Sequence, residues 1–189
     1  MKLAFQKHIA FNRLGAMTPI GSGSFGIVFR STYNGYNIAV KCISNIHNKY
    51  HEGQQSASRI REVVMEIQIL SQLSHPNIVS FFGTCVELAG SSPMPWVGLV
   101  FELCEGGTLH HAIHASQSAR LSSMQKVSIA RQISIGMSYL HSRRILHRDL
   151  NTKNVLLDSA LCPKIADFGC SVSSSAIPFA DIPRRPFDF

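Results

Sequence analysis

Acidic residues are missing from the first quarter of this 189-residue chain. No Asp or Glu precedes Glu52, whereas Lys2, Lys7, Arg13, Arg30, Lys41 and Lys49 do. Charge is scarce throughout: Asp, Glu, Lys and Arg make up 15% of residues, against the usual ~25%. So poor a surface predicts missing sequence or a covering partner. Cysteine occurs in an odd number, at 42, 85, 104, 162 and 170, and never as C-x-x-C. That argues against a disulfide framework and a structural zinc, and predicts a reducing, cytoplasmic setting. No apolar run approaches the ~18 residues that a membrane helix needs. Residues 1–17 lack the continuous apolar stretch of a signal peptide, and strand-like sequence begins too early for a transit peptide.

What is present can bury a core. Hydrophobic residues make up 45%, which excludes disordered and low-complexity classes. The length fits one domain, or one domain plus a fragment of another. Eighteen basic residues stand against 11 acidic ones, a net +7 that favours an anionic partner such as a nucleotide, a nucleic acid or a membrane surface.

Residues 17–43 read as strands and turns, with Asn34-Gly35 as a hairpin signal between Ile27-Val28-Phe29 and Ile38-Ala39-Val40. Residues 45–55 read as a polar loop. Ile60, Val63, Val64, Ile67, Leu70 and Leu73 recur at helical spacing, and Pro76 predicts a stop near Ser74. Residues 78–82 and 96–101 read as strands around a Gly/Ser/Pro loop at 89–95. Gly106-Gly107 breaks the chain before a short helix over 108–114. A longer helix starts at Ser122, where Gln125 completes a capping box, with an apolar stripe of Val127, Ala130, Ile133, Met137 and Leu140. Short strands are predicted at 155–157 and 164–166. The order is a small sheet containing one helix, then a mostly helical half.

Gly21, Gly23, Gly26 and Val28 form G-x-G-x-x-G-x-V. Glycines here let backbone approach phosphates without a Cβ in the way. A dinucleotide site would continue into a helix and an acid about twenty residues on; here a strand follows. Lys41 closes the next strand, where its ammonium can meet phosphate oxygens as a point charge. Glu66 lies beside the apolar stripe of the first helix and there needs a cation; it is preferred over Glu62, one turn earlier. His147-Arg-Asp-Leu-Asn-Thr-Lys-Asn154 matches H-R-D-L-x-x-x-N, and Asp167-Phe-Gly169 follows. Asp149 to orient a hydroxyl, with Asn154 and Asp167 to hold Mg²⁺, is the set that phosphoryl transfer requires.

From residue 15 to 169 the chain resembles a eukaryotic protein kinase domain. The resemblance implies an α+β, two-lobed fold: a small lobe over 14–101 after an extension at 1–13, a hinge over 102–107, the first half of a large lobe over 108–169, and an activation-segment tail over 170–189. It implies ATP and Mg²⁺ as cofactors. Ile20, Gly21, Gly23, Gly26, Val28 and Ala39 would cover the nucleotide. Lys41 and Glu66 would form an ion pair, Phe101 would be the gatekeeper, and Glu102 to Cys104 would hydrogen-bond adenine. Asp149 would be the catalytic base, and Asn154 and Asp167 the metal ligands. His75-Pro-Asn-Ile-Val79 is similar to the family's helix-to-strand connection. Residues 32–41, the loop before Trp96 and Asp167-Phe-Gly-Cys-Ser171 look most like the Mos kinases, with the Raf-like and mixed-lineage group next. That likeness implies a serine/threonine kinase acting on a protein substrate, a MAP-kinase kinase.

Two departures stand out. Serine/threonine kinases usually carry Lys two residues after the catalytic Asp, where this chain has Asn151. No Ala-Pro-Glu follows Gly169, and 177–180 is a poor substitute, so the sequence reads as truncated, with a catalytically inactive nucleotide- or partner-binding fragment as the alternative function. His110, His111 and His114 lack a third ligand for zinc. Cys104 and Cys170 read as small apolar fillers, and Arg184-Arg185 as tail charge. Nucleic-acid binding is disfavoured, because ATP phosphates would account for the basic first quarter.

Overall fold

The chain enters its main sheet through a 3₁₀ turn at Phe11–Arg13. It then runs β1 (Thr18–Gly23), β2 (Gly26–Tyr33) and β3 (Tyr36–Ile43) as consecutive antiparallel strands. The structure is a computed structural model that describes residues 8–23, 26–43, 53–87, 96–115 and 121–173. The loop read at 89–95, the segment 177–180 and Arg184-Arg185 lie outside these residues, as does most of the loop read at 45–55. At the β2–β3 turn Asn34 and Gly35 have φ of 51° and 83°. Both positive values suit a two-residue hairpin, whose twist matches its strands.

Helix α1 (Gly53–Leu70) follows, then β4 (Phe81–Glu87) and β5 (Trp96–Glu102). The five strands form one antiparallel sheet in the order β1-β2-β3-β5-β4. Side chains alternate across it. Ile38, Val40 and Cys42 face one way, into a core with Ile9, Cys85 and Val100. Ala39 and Lys41 face the other way, beside Phe101 and Leu99, their partners on β5. Gly98, paired with both Cys42 and Cys85, has no space for a side chain. A Cβ there would lie 2.6 Å from Cys85 Sγ and 2.9 Å from Val40 Cγ1.

The second half runs β6 (Gly107–Thr108), α2 (Leu109–His114), α3 (Ser123–Ser142), β7 (Ile145–Leu146), β8 (Val155–Leu157), β9 (Pro163–Ile165) and β10 (Val172–Ser173). The capping box at Ser122 and Gln125 is complete: Ser122 Oγ accepts from Gln125 N, and Gln125 Oε1 accepts from Ser122 N. The two halves are stitched at Asn77. Its amide donates to Gln132 Oε1 on α3 and to the Pro163 carbonyl, each at 3.1 Å, while Ile165 N donates to its carbonyl at 2.9 Å. Val79 N reaches the Ile165 carbonyl at 3.0 Å.

Several expectations shift. Helix α1 begins at Gly53, inside the expected loop, and ends at Leu70 rather than Ser74. Gln72 N and Leu73 N bond three residues back, so the last turn tightens into 3₁₀ geometry. Ile60 and Val64 are exposed, although the periodicity predicted a buried stripe. At 100° per residue, turning Glu66 inward forces Val64 outward; the buried face carries Glu66, Ile69 and Leu70, with Val63 and Ile67 beside it. On α3, Val127 and Ala130 point outward while Ile129, Gly136 and Leu140 are buried. Gly136 belongs to that face because Asn77 and Ile165 approach it closely. Strand β4 starts at Phe81 instead of residue 78, because Ile78 pairs with Ile165 on β9. Strand β9 is one residue earlier than predicted, and β7 and β10 were too short to show periodicity.

Residues 8–13, read as an extension, pack on the outer face of the sheet. Ile9 is 1% exposed, its N–H bonds the Thr84 carbonyl at 2.8 Å, and Phe11 meets Trp96 edge-on at 5.4 Å. Ile9→Ala should therefore destabilise the protein by ~2–4 kcal/mol in urea unfolding, the range for a buried large-to-small change. A loss near zero would show that this segment is not part of the core.

Candidate active site

Between the sheet's inner face and the second half lies a cleft of about 750 Å³, within the size range of small-ligand sites. Its roof is Ile20, Gly21, Gly26, Val28 and Ala39, its back is Lys41, Glu66 and Phe101, and its floor includes Asp149, Asn154, Leu156 and Asp167. Gly26, with φ of 137°, needs a glycine. Packing makes no such demand at Gly21, since a Cβ there would meet nothing within 4 Å. Gly23 closes the β1–β2 pairing opposite Gly26.

Lys41 gathers the back wall. Its Nζ lies 3.0 Å from Glu66 Oε1 and 3.1 Å from Asp167 Oδ1. The side chains of Lys41 and Glu66 are 14% and 5% exposed. Burial opposes the charge on Lys41, but the two carboxylates outweigh it and raise its pKa. Burial also pushes the Glu66 carboxyl up, and Lys41 draws it only part of the way back. Glu62, the competing candidate, is exposed.

The loop between β7 and β8 carries Asp149 and Asn154. The Asn154 amide nitrogen donates to Asp149 Oδ2 and to the Asp149 carbonyl, both at 2.9 Å. Its Oδ1 is left as an acceptor with no hydrogen bond among the described residues. Asn151 Nδ2 donates to the Asp149 carbonyl (3.2 Å) and Oδ1 (3.4 Å), while its Oδ1 accepts from Lys153 N (2.9 Å) and Asn154 N (3.2 Å). Ala166 joins both ends of this loop: its N–H bonds the Asn154 carbonyl at 2.9 Å, and its carbonyl meets His147 Nε2 at 3.0 Å. Asp167 is thereby held beside Asn154. Arg148 and Asp167 have φ of 67° and 62°. Such conformations are strained for non-glycine residues and gather at functional sites.

The hinge side chains are largely committed. Glu102 accepts from Ser80 N at 2.7 Å and pairs with Lys164 at 3.1 Å. The Cys104 N–H has no partner among the described residues. Burial first, and then Glu102, push the Cys104 thiol up to about 12, which makes it a poor nucleophile. Cys42 and Cys85 are likewise pushed up, to about 12 and about 11, by burial.

Four carboxylates and two ammoniums line the cleft, so a polyphosphate enters favourably only with a cation. Asn154 Oδ1 and the second oxygen of Asp167 are hard donors that fit Mg²⁺, which keeps water and phosphate oxygens as its remaining ligands. The basic first quarter has a different explanation from the one expected. Among its described residues Lys41 alone lines the cleft, while Arg13 lies over Tyr33 and Arg30 pairs with Glu105. Sequence reading missed Val79, Lys153, Leu156 and Ala166 as lining residues. For Leu156 the signal is strand alternation, hidden by the apolar run Val155-Leu156-Leu157. Among the described residues no three His, Cys, Asp or Glu gather as a metal site; the His110 and His114 rings meet at a tilt, with centroids 4.6 Å apart.

His147 is 1% exposed, and both ring nitrogens are engaged. Nε2 donates to Ala166, and Nδ1 accepts from Asp149 N at 3.4 Å, which fixes the neutral tautomer. Burial lowers its pKa below 6.5 despite the Ala166 carbonyl and the Asp167 and Asp149 charges. The unfolded ring therefore takes its proton first on acidification. The stability contribution is present above about 6.5 and lost as pH falls through the folded pKa. Glu66, shifted upward, acts in the opposite sense. Between pH 7 and pH 5 the melting temperature of His147→Gln should fall less steeply than that of the wild type; parallel slopes would contradict the assignment.

Residues 14–176 match the family described as protein tyrosine and serine/threonine kinase. The dual specificity protein kinase pyk3 of Dictyostelium discoideum is 34% identical over 170 residues, covering 90% of this chain and 11% of that protein. The serine/threonine-protein kinase A-Raf of Homo sapiens is 35% identical over 150 residues, 79% of this chain and 22% of that one. The serine/threonine-protein kinase CTR1 of Arabidopsis thaliana is 36% identical over 155 residues, 80% and 17% respectively. The chain thus spans less than a quarter of the length of each of these relatives. Sheet, cleft and catalytic-type loop all fall inside the matched span, and the chain belongs to the protein tyrosine and serine/threonine kinase family.

Proposed function

We propose that this chain binds MgATP in the cleft and transfers its γ-phosphoryl group to a serine or threonine hydroxyl of a protein. The observation that carries the reading is Lys41, held between Glu66 and Asp167 and facing a loop that presents Asp149 and Asn154. In this reading Ile20, Val28 and Ala39 enclose the adenine from above and Leu156 from below. The hinge at Phe101, Glu102 and Cys104 borders it, with the open Cys104 N–H as a donor. Gly21, Gly23 and Gly26 cover the phosphates, and Lys41 meets their α and β oxygens. Asn154 and Asp167 hold Mg²⁺, which when bound offsets charge on the phosphoryl oxygens. Asp149 accepts the hydroxyl proton as the new O–P bond forms and the bond to the β-phosphate oxygen breaks. Serine/threonine preference draws support from the names of A-Raf and CTR1.

The likeness of residues 32–41 and 167–171 to Mos kinases supports a MAP-kinase kinase as substrate and a MAP-kinase-kinase-kinase-like role. No disulfide joins the five cysteines, which suits the reducing cytoplasm. No helix among the described residues is long and apolar enough to cross a membrane.

Calorimetry tests the nucleotide site. Lys41→Met should weaken MgATP binding by about tenfold or more, the equivalent of ~1.4 kcal/mol. Asp167→Asn should reduce the Mg²⁺ dependence of binding, and Asp149→Asn should leave affinity nearly intact. Equal affinity in wild type and Lys41→Met would overturn the role of Lys41. A larger loss at Asp149 than at Asp167 would exchange the two roles.

A further inference from the structure

Two histidines on α2 face each other outside the cleft. His110 and His114 are four residues apart, so they share one face of the helix. Their ring centroids lie 4.6 Å apart, with the planes tilted by 52°. Neither ring lines the cleft, so the pair is separate from Asn154 and Asp167. His114 is exposed and His110 half-buried, which leaves the pair open to an ion from solvent.

The His110 ring is already aimed. Its Nδ1 lies 3.3 Å from Thr152 Oγ1, and its backbone N–H donates to the Thr152 carbonyl at 2.8 Å. With the hydroxyl accepting from Nδ1, Nε2 is the bare nitrogen. A hydrogen bond on the far nitrogen is how a protein orients a ligating imidazole and fixes its tautomer. The spacing then selects the metal. With metal–nitrogen bonds of about 2.0–2.1 Å, a metal lies about 3.2 Å from each ring centroid, so two rings at a right angle have centroids about 4.5 Å apart, and at the tetrahedral angle about 5.2 Å. The observed 4.6 Å matches the right angle, the habit of square-planar and tetragonal Cu²⁺ and Ni²⁺ sites.

We propose that His110 and His114 together hold one divalent transition-metal ion of right-angled habit, Cu²⁺ or Ni²⁺, with water in its remaining positions and Thr152 positioning the His110 ring. Imidazole suits these ions, whereas Mg²⁺ takes carboxylate, carbonyl and water oxygens, so Mg²⁺ does not compete for the pair. A structural zinc closes with four protein ligands, which the pair does not offer. Thr152 lies between Asp149 and Asn154 in the chain. The ion is therefore one imidazole and one hydrogen bond away from the loop that carries both.

The test is calorimetric titration of the full, untagged chain with Ni²⁺, chosen over Cu²⁺ because it does not oxidise thiols. His110→Ala and His114→Ala should each weaken Ni²⁺ uptake at least about tenfold, the least that even outer partners of a metal ligand are worth. Thr152→Val should weaken it by less, and His111→Ala, on another face of α2, should leave it unchanged. Excess Mg²⁺ should leave it unchanged as well. His114 is exposed, so its replacement keeps the fold, and a second measurement uses that variant. Saturating Ni²⁺ should raise the melting temperature of wild type by mass action and leave that of His114→Ala where it was. Wild type that takes up no Ni²⁺, or uptake that survives both His110→Ala and His114→Ala, would overturn the site. Unchanged affinity in Thr152→Val would overturn the part given to Thr152. The nucleotide reading stands or falls separately, because this inference does not use it.

Discussion

The ammonium of Lys41 is the point on which the rest of the structure depends. Three elements distant in sequence meet there: β3 supplies the lysine, α1 supplies Glu66, and the segment between β9 and β10 supplies Asp167. A buried carboxylate without a cation is strongly unfavourable. Glu66 is buried, so Lys41 decides which face of α1 turns inward. The exposure of Val64 follows from that choice, because it lies across the helix from Glu66. A single electrostatic requirement overrides part of the hydrophobic pattern.

A second constraint operates on the cleft floor and is built from backbone. Ala166 bonds the Asn154 carbonyl with its N–H and His147 with its carbonyl. The residue before Asp167 is thus fastened to both ends of the loop that bears Asp149. His147 does this as a neutral donor and acceptor, packed against Phe168 at 5.0 Å between ring centroids. The three polar side chains of the floor therefore share one frame, and Ile165, beside it, is joined at Asn77 and Val79 to the segment that leads into β4. Such a hydrogen-bonded frame suits chemistry that depends on positioning.

Much of this was legible in the sequence, for identifiable reasons. Asn34-Gly35 specifies its turn through local dihedral preference. Ser122 and Gln125 cap α3 through side chains three residues apart. Lys41, Asp149, Asn154 and Asp167 were found because their spacing is itself the signal, and Glu66 because a carboxylate beside an apolar stripe needs a cation. Long-range facts were harder to read. Ile9 looks like any apolar residue in a basic stretch, and nothing local shows that it fills the core behind β3. The stripe on α3 was drawn through Val127 because Gly136, the real contact with Asn77, carries no hydrophobic signal. Lys153 was passed over as a lining residue because the motif counts it as a spacer.

A double-mutant cycle on Lys41 and Glu66, read by urea unfolding, tests the central claim most directly. If Lys41 holds α1 through Glu66, Lys41→Met alone leaves a buried, uncompensated carboxylate and should cost ~3–5 kcal/mol. Lys41→Met combined with Glu66→Leu should be destabilised by at least ~1 kcal/mol less than the two single changes added together, since neighbouring partners are not independent. Additivity within ~0.5 kcal/mol would contradict the account, because Glu66 would then be buried for a reason other than Lys41.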